Sequence, residues 1–154
     1  MYRYLLYLTL FIYVHVVKSN AAITPAQKAM IQSKLLSSGL ECIKDHPLSI
    51  SDISTLRKKM IPNNKNARCF ANCLFKKTGI MDDMGKLNPT GAHDSAVKIF
   101  KNSEEHLSKV DGIIEECSFV NDQSTGDDMD CERAKMVFEC LVQHAPKFDL
   151  DIDF

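Results

Sequence analysis

Asn66-Ala67-Arg68-Cys69-Phe70-Ala71-Asn72-Cys73-Leu74-Phe75-Lys76-Lys77-Thr78-Gly79 is the stretch that decides the architecture. Cys69, Phe70, Cys73 and Leu74 recur at helical spacing, and Gly79 is a natural C-terminal cap, so a helix over about 66–78 is expected. On such a helix the Cβ atoms of Cys69 and Cys73 lie ~5–6 Å apart, beyond the ~3.5–4.5 Å that a bridge requires. The two cysteines must therefore bond elsewhere. Cys131 and Cys140 lie on another predicted helix, separated by roughly 13 Å along its axis, and cannot bond each other either. Six cysteines allow fifteen pairings, and these two exclusions leave ten. In all ten, the 66–78 helix is tied to two other places, which makes it the expected hub.

Working outward, Thr24-Pro25-Ala26-Gln27 combines a capping box with a first-turn proline. Ile31 and Leu35, then Leu36, Leu40 and Ile43, continue that helix towards Pro47. Ser49-Ile50-Ser51-Asp52 opens a second, short helix carrying Ile53, Leu56 and Met60 and ending at Pro62. Residues 80–91 form a turn-rich connection. Ala92, Ala96, Val97, Ile99 and Phe100 mark a fourth helix. A fifth opens at Asn102 or Ser103 and carries Leu107, Val110, Ile113, Ile114 and Cys117. A sixth, about 129–144, places Cys131, Ala134, Phe138 and Leu141 on one stripe, with carboxylates at Asp127, Asp128, Asp130 and Glu132 suiting its positive start. The expected class is all-α, with about six helices in one domain over 22–154.

The chain has 154 residues, a formal net charge of −1, 45% hydrophobic residues and no Trp. That composition excludes a collagen-like or largely disordered chain, and the near-neutral charge argues against nucleic acid as a partner. Residues 1–21 read as an export signal: Arg3, the apolar run Leu5 to Val17, and Ser19-Asn20-Ala21 as a small-residue cleavage site. Thirteen apolar residues are too few to cross a bilayer, so no stable membrane insertion is expected. Without Arg3 and Lys18, 17 basic residues face 20 acidic ones, and all four Tyr are gone. No retention signal ends the chain, so a secreted, extracellular protein is expected. Six cysteines in an exported chain read as three disulfides, each stabilising by about 2–4 kcal/mol. No C-x₂-C pair suggests zinc. Asn121–Glu132 is too poor in carboxylates at its first, third and fifth positions for a calcium loop, so no metal and no cofactor is expected.

The intervals C-x₂₆-C-x₃-C-x₄₃-C-x₁₃-C-x₈-C, with six amphipathic segments, resemble those of the insect odorant-binding proteins, the pheromone and general odorant-binding family. The x₃ and x₈ intervals match the family's most rigid features, and Gly79–Asn88 is similar to its turn between the third and fourth helices. The x₄₃ interval stands at the long edge of the family range. The resemblance implies the interlocked pairing Cys42–Cys73, Cys69–Cys131 and Cys117–Cys140. It also implies an internal apolar cavity, and a carrier role for small hydrophobic molecules in sensillar lymph or another secretion. A chemosensory receptor as a further partner, and a monomer or weak homodimer, belong to the same expectation.

A carrier needs an apolar pocket with few polar groups. The candidates are Val97, Phe100, Leu107, Val110, Ile113 and Ile114, with Met136, Val137, Phe138 and Leu141 from the sixth helix. Met30, Met60 and Met136 would give an adaptable lining. In the tail 146–154, Phe148, Leu150, Ile152 and Phe154 alternate with Asp149, Asp151 and Asp153, which suggests a lid with one apolar face. Acid would protonate those carboxylates and charge His46, His93, His106 or His144, and either change would loosen such a lid. The chain lacks G-x-S-x-G, H-E-x-x-H and P-loop motifs, so no enzyme is expected. Two alternatives stand beside the olfactory carrier: a carrier in haemolymph or reproductive fluid, and a membrane-active saposin-like or toxin-like helical protein.

Overall fold

The computed structural model describes residues 22–101, 103–123, 126, 128–148 and 150. The export signal expected at 1–21 and the tail residues Ile152 and Phe154 lie outside these residues. Six α-helices follow in order: α1 (Pro25–Asp45), α2 (Ile50–Arg57), α3 (Lys65–Thr78), α4 (Pro89–Phe100), α5 (Glu104–Glu116) and α6 (Met129–His144). Short 3₁₀ turns follow α5 (Ser118–Asp122) and α6 (Ala145–Phe148). Among the described residues there is no strand, and a lone antiparallel bridge joins Met81 to Leu87.

The caps form as local chemistry dictates. Thr24 Oγ1 accepts from Gln27 N at 3.2 Å, and Gln27 Oε1 accepts from Thr24 N at 2.8 Å, satisfying two orphan donors of α1. Ser49 and Asp52 do the same for α2. The Ser49 hydroxyl and amide hold the Asp52 carboxyl below its usual range. Asn64 caps α3 through Ala67 N, and Gly79 closes it at φ +81°, a conformation in which a Cβ is strained. Asn88 caps α4 with Pro89 in its first turn, so this helix begins three residues before Ala92, where the apolar pattern starts.

Three disulfides, Cys42–Cys73, Cys69–Cys131 and Cys117–Cys140, interlock the helices. They span 31, 62 and 23 residues of chain, and in the chain-entropy picture the longest loop alone stabilises by about 4 kcal/mol. As the hub, α3 is bonded to α1 and to α6. It packs most extensively on α6, and α4 packs on α5. Lys65, Arg68 and Lys76 of α3 pair with Asp128, Glu132 and Asp130 at the start of α6, at 2.8, 2.7 and 3.0 Å. The acidic start of α6 thus meets a basic helix face as well as its own dipole, although exposed pairs contribute only about 0–1 kcal/mol each.

Two helices bury a different stripe from the expected one. In α6 the buried residues are Arg133, Ala134, Val137 and Cys140, while Cys131, Phe138 and Leu141 are half-buried. The rotation is set by Arg133, whose guanidinium donates to the carbonyls of Val120 (3.2 Å) and Gly85 (3.3 Å) and binds two loops from inside. In α1 the buried residues are Ile31, Ser38 and Cys42, which leaves Leu36 65% and Leu40 60% exposed. Asn121 adds a second loop clasp. Its amide accepts from Leu87 N at 2.8 Å and donates to Leu87 O at 3.0 Å.

Candidate ligand-binding site

The apolar interior falls into two buried clusters. The larger joins α3, the 80–88 loop, α5 and α6, and includes Phe75, Met81, Leu87, Ile113, Ile114 and Val137. The smaller consists of Ile31 of α1 with Ala96 and Phe100 of α4. Half-buried apolar side chains fringe both: Leu35, Ile99 and Leu107 on the smaller, and Leu56, Ile80, Met136, Phe138 and Leu141 on the larger. Ile23 and Val110 touch both clusters. One contiguous core with a smaller satellite cluster is the common arrangement in a domain, and here half-buried apolar side chains lie along both.

The expected pocket residues divide between these clusters. Ile113, Ile114 and Val137 are buried members of the larger cluster, and Phe100 is a buried member of the smaller. Leu107 and Val110, and on the other side Met136, Phe138 and Leu141, form the half-buried fringe. Val97 is 38% exposed and is not brought together with them, because α4 buries Ala92, Ala96 and Phe100 instead. Met30 and Met60 are also exposed, so of the three methionines only Met136 packs against a cluster.

The first part of the tail docks. Phe148 lies against Gly112 of α5 so closely that a Cβ there would come within 2.6 Å of the ring. Leu150 is buried in the larger cluster, and its amide donates to Ala145 O at 3.0 Å. Glu116 of α5 pairs with both Lys147 and His144. The Lys147 ammonium, and after it His144, hold the Glu116 carboxyl below the usual carboxylate range, against a smaller opposing effect of burial. His144, the last residue of α6, thereby ties α6 to α5, while Lys147 ties the start of the tail to the same carboxylate. His93 stands in the same relation to Asp111, at 2.9 Å, and ties α4 to α5.

His106 is not a surface histidine. It is 4% exposed and stacks on Phe100 with ring centroids 4.7 Å apart and planes 4° from parallel. Its Nδ1 lies 2.7 Å from Ser103 Oγ. Ser103 holds the N-cap position of α5, yet its hydroxyl makes no capping bond to that helix. Such a bond is ordinarily worth about 0.5–2 kcal/mol. The other ring nitrogen, Nε2, is buried and has no hydrogen-bond partner among the described residues. An unpaired buried polar atom costs about 1–3 kcal/mol. Composition and periodicity did not reveal this arrangement. Its one sequence signal is Ser103-Glu104-Glu105-His106, where a histidine takes the place that Glu or Gln holds in a capping box.

Among the described residues, no helix is long and apolar enough to cross a membrane, and no group of three His, Cys, Asp or Glu side chains could hold a metal ion. Residues 22–144 match the PBP/GOBP family. General odorant-binding protein 19d of Drosophila melanogaster is 25% identical over 113 residues, 73% of each chain. General odorant-binding protein 28a of the same fly is 27% identical over 118 residues, 77% of this chain and 80% of that one. The structure of the odorant-binding protein 28a from Drosophila melanogaster superposes with a TM-score of 0.61 at 25% identity, over 80% of this chain and 99% of that one. The fatty acid binding protein OBP56a from the oral disk of the blowfly Phormia regina shares the fold, with a TM-score of 0.55 at 22% identity over 77% and 94% of the two chains. With its six helices, its three interlocked disulfides and a match spanning 22–144, the chain belongs to the PBP/GOBP family, the insect odorant-binding proteins.

Proposed function

We propose that the protein is a secreted carrier that takes up one small hydrophobic molecule between its two apolar clusters and moves it through an aqueous extracellular fluid. The observation that carries this reading is the divided interior, with Ile23 and Val110 touching both clusters and half-buried apolar side chains fringing each. Contact with a hydrophobic guest would remove those side chains from water, at about 25 cal/mol per Å² of apolar surface. The family match, and a fold shared with a fatty acid binding protein, support the same reading. Phe100, Leu107 and Val110 would face the guest from one side, and Met136, Phe138 and Leu141 from the other. The tail, docked through Phe148 and Leu150, would close the site, and residues 1–21 would direct export.

Release by acid has a definite sign in this arrangement. Because the Glu116 carboxyl is held below its ordinary value when folded, its pairing contributes fully above the unfolded carboxylate range. That contribution is lost only as pH falls through the lowered folded value. The Lys147–Glu116 tie therefore survives mild acid, and strong acid loosens it.

The test is to express the full chain in insect cells and titrate the secreted protein with N-phenyl-1-naphthylamine at neutral and acid pH. The chain has no Trp, so the fluorescence background is low. Saturable one-to-one uptake is expected. A folded, helical protein that takes up no probe would overturn the carrier reading, and leakage of vesicles under the same conditions would point to membrane activity instead.

A further inference from the structure

We propose that His106 is the polar anchor of the ligand site and that the preferred guest carries one uncharged oxygen group, a hydroxyl or a carbonyl, on a hydrophobic body. This assignment rests on the carrier reading and goes beyond it by naming the ligand's chemistry. His106 is 4% exposed and its Nε2 has no hydrogen-bond partner among the described residues, whereas its Nδ1 is held by Ser103 Oγ at 2.7 Å. Buried polar groups are hydrogen-bonded in nearly all native proteins, so an exception calls for an explanation, and a ligand atom supplies one here. The ring is also held in place. It stacks on Phe100, a buried member of the smaller cluster, and lies one residue before Leu107, which fringes that cluster. Ser103 spends its hydroxyl on the imidazole and leaves the start of α5 without a side-chain cap. Asn72 Oδ1 is also buried without a partner, but its residue is only half-buried and no second side chain is shown orienting it.

The geometry also bears on the ligand's chemistry. A hydroxyl both donates and accepts, so it satisfies Nε2 whichever nitrogen carries the proton, and a carbonyl satisfies the Nε2–H form. The groups shown touching the imidazole, Ser103 and Phe100, are uncharged. An uncharged oxygen group meets the ring's hydrogen-bonding need without bringing a further charge into a buried site.

Competition against bound N-phenyl-1-naphthylamine compares 1-decanol with decane, on the secreted wild-type protein and on His106→Phe and His106→Gln. In the wild type, decanol should displace the probe better than decane. His106→Phe should weaken decanol about three- to tenfold more than it weakens decane or the probe, the range expected for one hydrogen bond. His106→Gln, which keeps an amide near the Nε2 position, should recover part of the loss. Equal losses for decanol and decane, or no loss for either, would overturn the assignment while the carrier reading stands. Failure of the wild type to take up the probe would overturn both. Should the variants not fold, nitrogen-15 spectra of the wild-type histidines decide: the His106 Nε2 resonance should move with decanol and not with decane, and an unmoved resonance would refute the anchor.

Discussion

The α3–α6 side of the molecule and the α1–α4–α5 side are built on different terms. The first holds four of the six bridging cysteines and so takes part in every disulfide, and it carries three ion pairs between helix faces and the buried Arg133 clasp. On the second side, α4 holds no cysteine, the buried cluster is three residues, and one imidazole nitrogen has no partner among the described residues. What fastens α4 is lighter: the His93–Asp111 pair, and Ser95 Oγ donating to Thr78 O at 2.7 Å. The contrast places rigidity where the chain is cross-linked and leaves adaptable apolar surface where it is not. A binding protein needs both, because a fully packed interior has no room and an unlinked one has no shape.

The comparison breaks most visibly at the longest cross-link. Replacing Cys69 and Cys131 together by Ala should destabilise the protein by about 4 kcal/mol, read as a large drop in the melting temperature by circular dichroism. A small drop would mean that ion pairs and packing already hold α3 to α6. Leu107→Ala and Ile113→Val sharpen the contrast. Ile113→Val trims a buried member of the larger cluster and should cost about 0.5–1.5 kcal/mol with probe affinity unchanged. Leu107→Ala, on the half-buried fringe, should weaken the probe more than it lowers the melting temperature. The reverse ranking would exchange the roles of the two sides.

The tail tests the boundary between them. Glu116→Gln removes the carboxylate shared by Lys147 and His144, so the tail should be cleaved faster by carboxypeptidase at neutral pH. The rise in cleavage that the wild type shows in strong acid should vanish in this variant. Unchanged cleavage at both pH values would show that Phe148 and Leu150 hold the tail alone. The smallest net effect is expected for Gly112→Ala. Helix propensity favours Ala by about 1 kcal/mol, but the new methyl would meet the Phe148 ring. Global stability should therefore stay near the wild-type value while exchange of the Leu150 amide quickens.

Local signals were legible wherever the cause lay within a few residues. Thr24 and Gln27, Ser49 and Asp52, and Gly79 act within one turn, so their patterns read directly as helix ends. The separation of Cys69 from Cys73 made α3 the hub without specifying its partners, and the pairing followed from the family's intervals. Helix rotation was less legible, because it depends on a distant partner. Arg133 is buried because loop carbonyls at Gly85 and Val120 receive it, and no periodicity announces that. Leu36 and Leu40 share the spacing of a core stripe, yet α1 turns Ser38 and Cys42 inward instead. Of the expected pocket list, Val97 fell outside, and Ile23, which touches both clusters, was not on it. His106 was read as one of four similar histidines, since its environment comes from Phe100 on the preceding helix and from the turn at Ser103.

The central claim is that the α3–α6 side holds the shape while the α4–α5 side gives way to admit the guest between them. Amide hydrogen exchange of the secreted protein, with and without saturating N-phenyl-1-naphthylamine, tests it most directly. Without probe, α4 and the first half of α5 should exchange faster than α3 and α6, and the probe should slow exchange chiefly in α4 and α5. Protection spread evenly over all six helices, or confined to α3 and α6, would contradict the account.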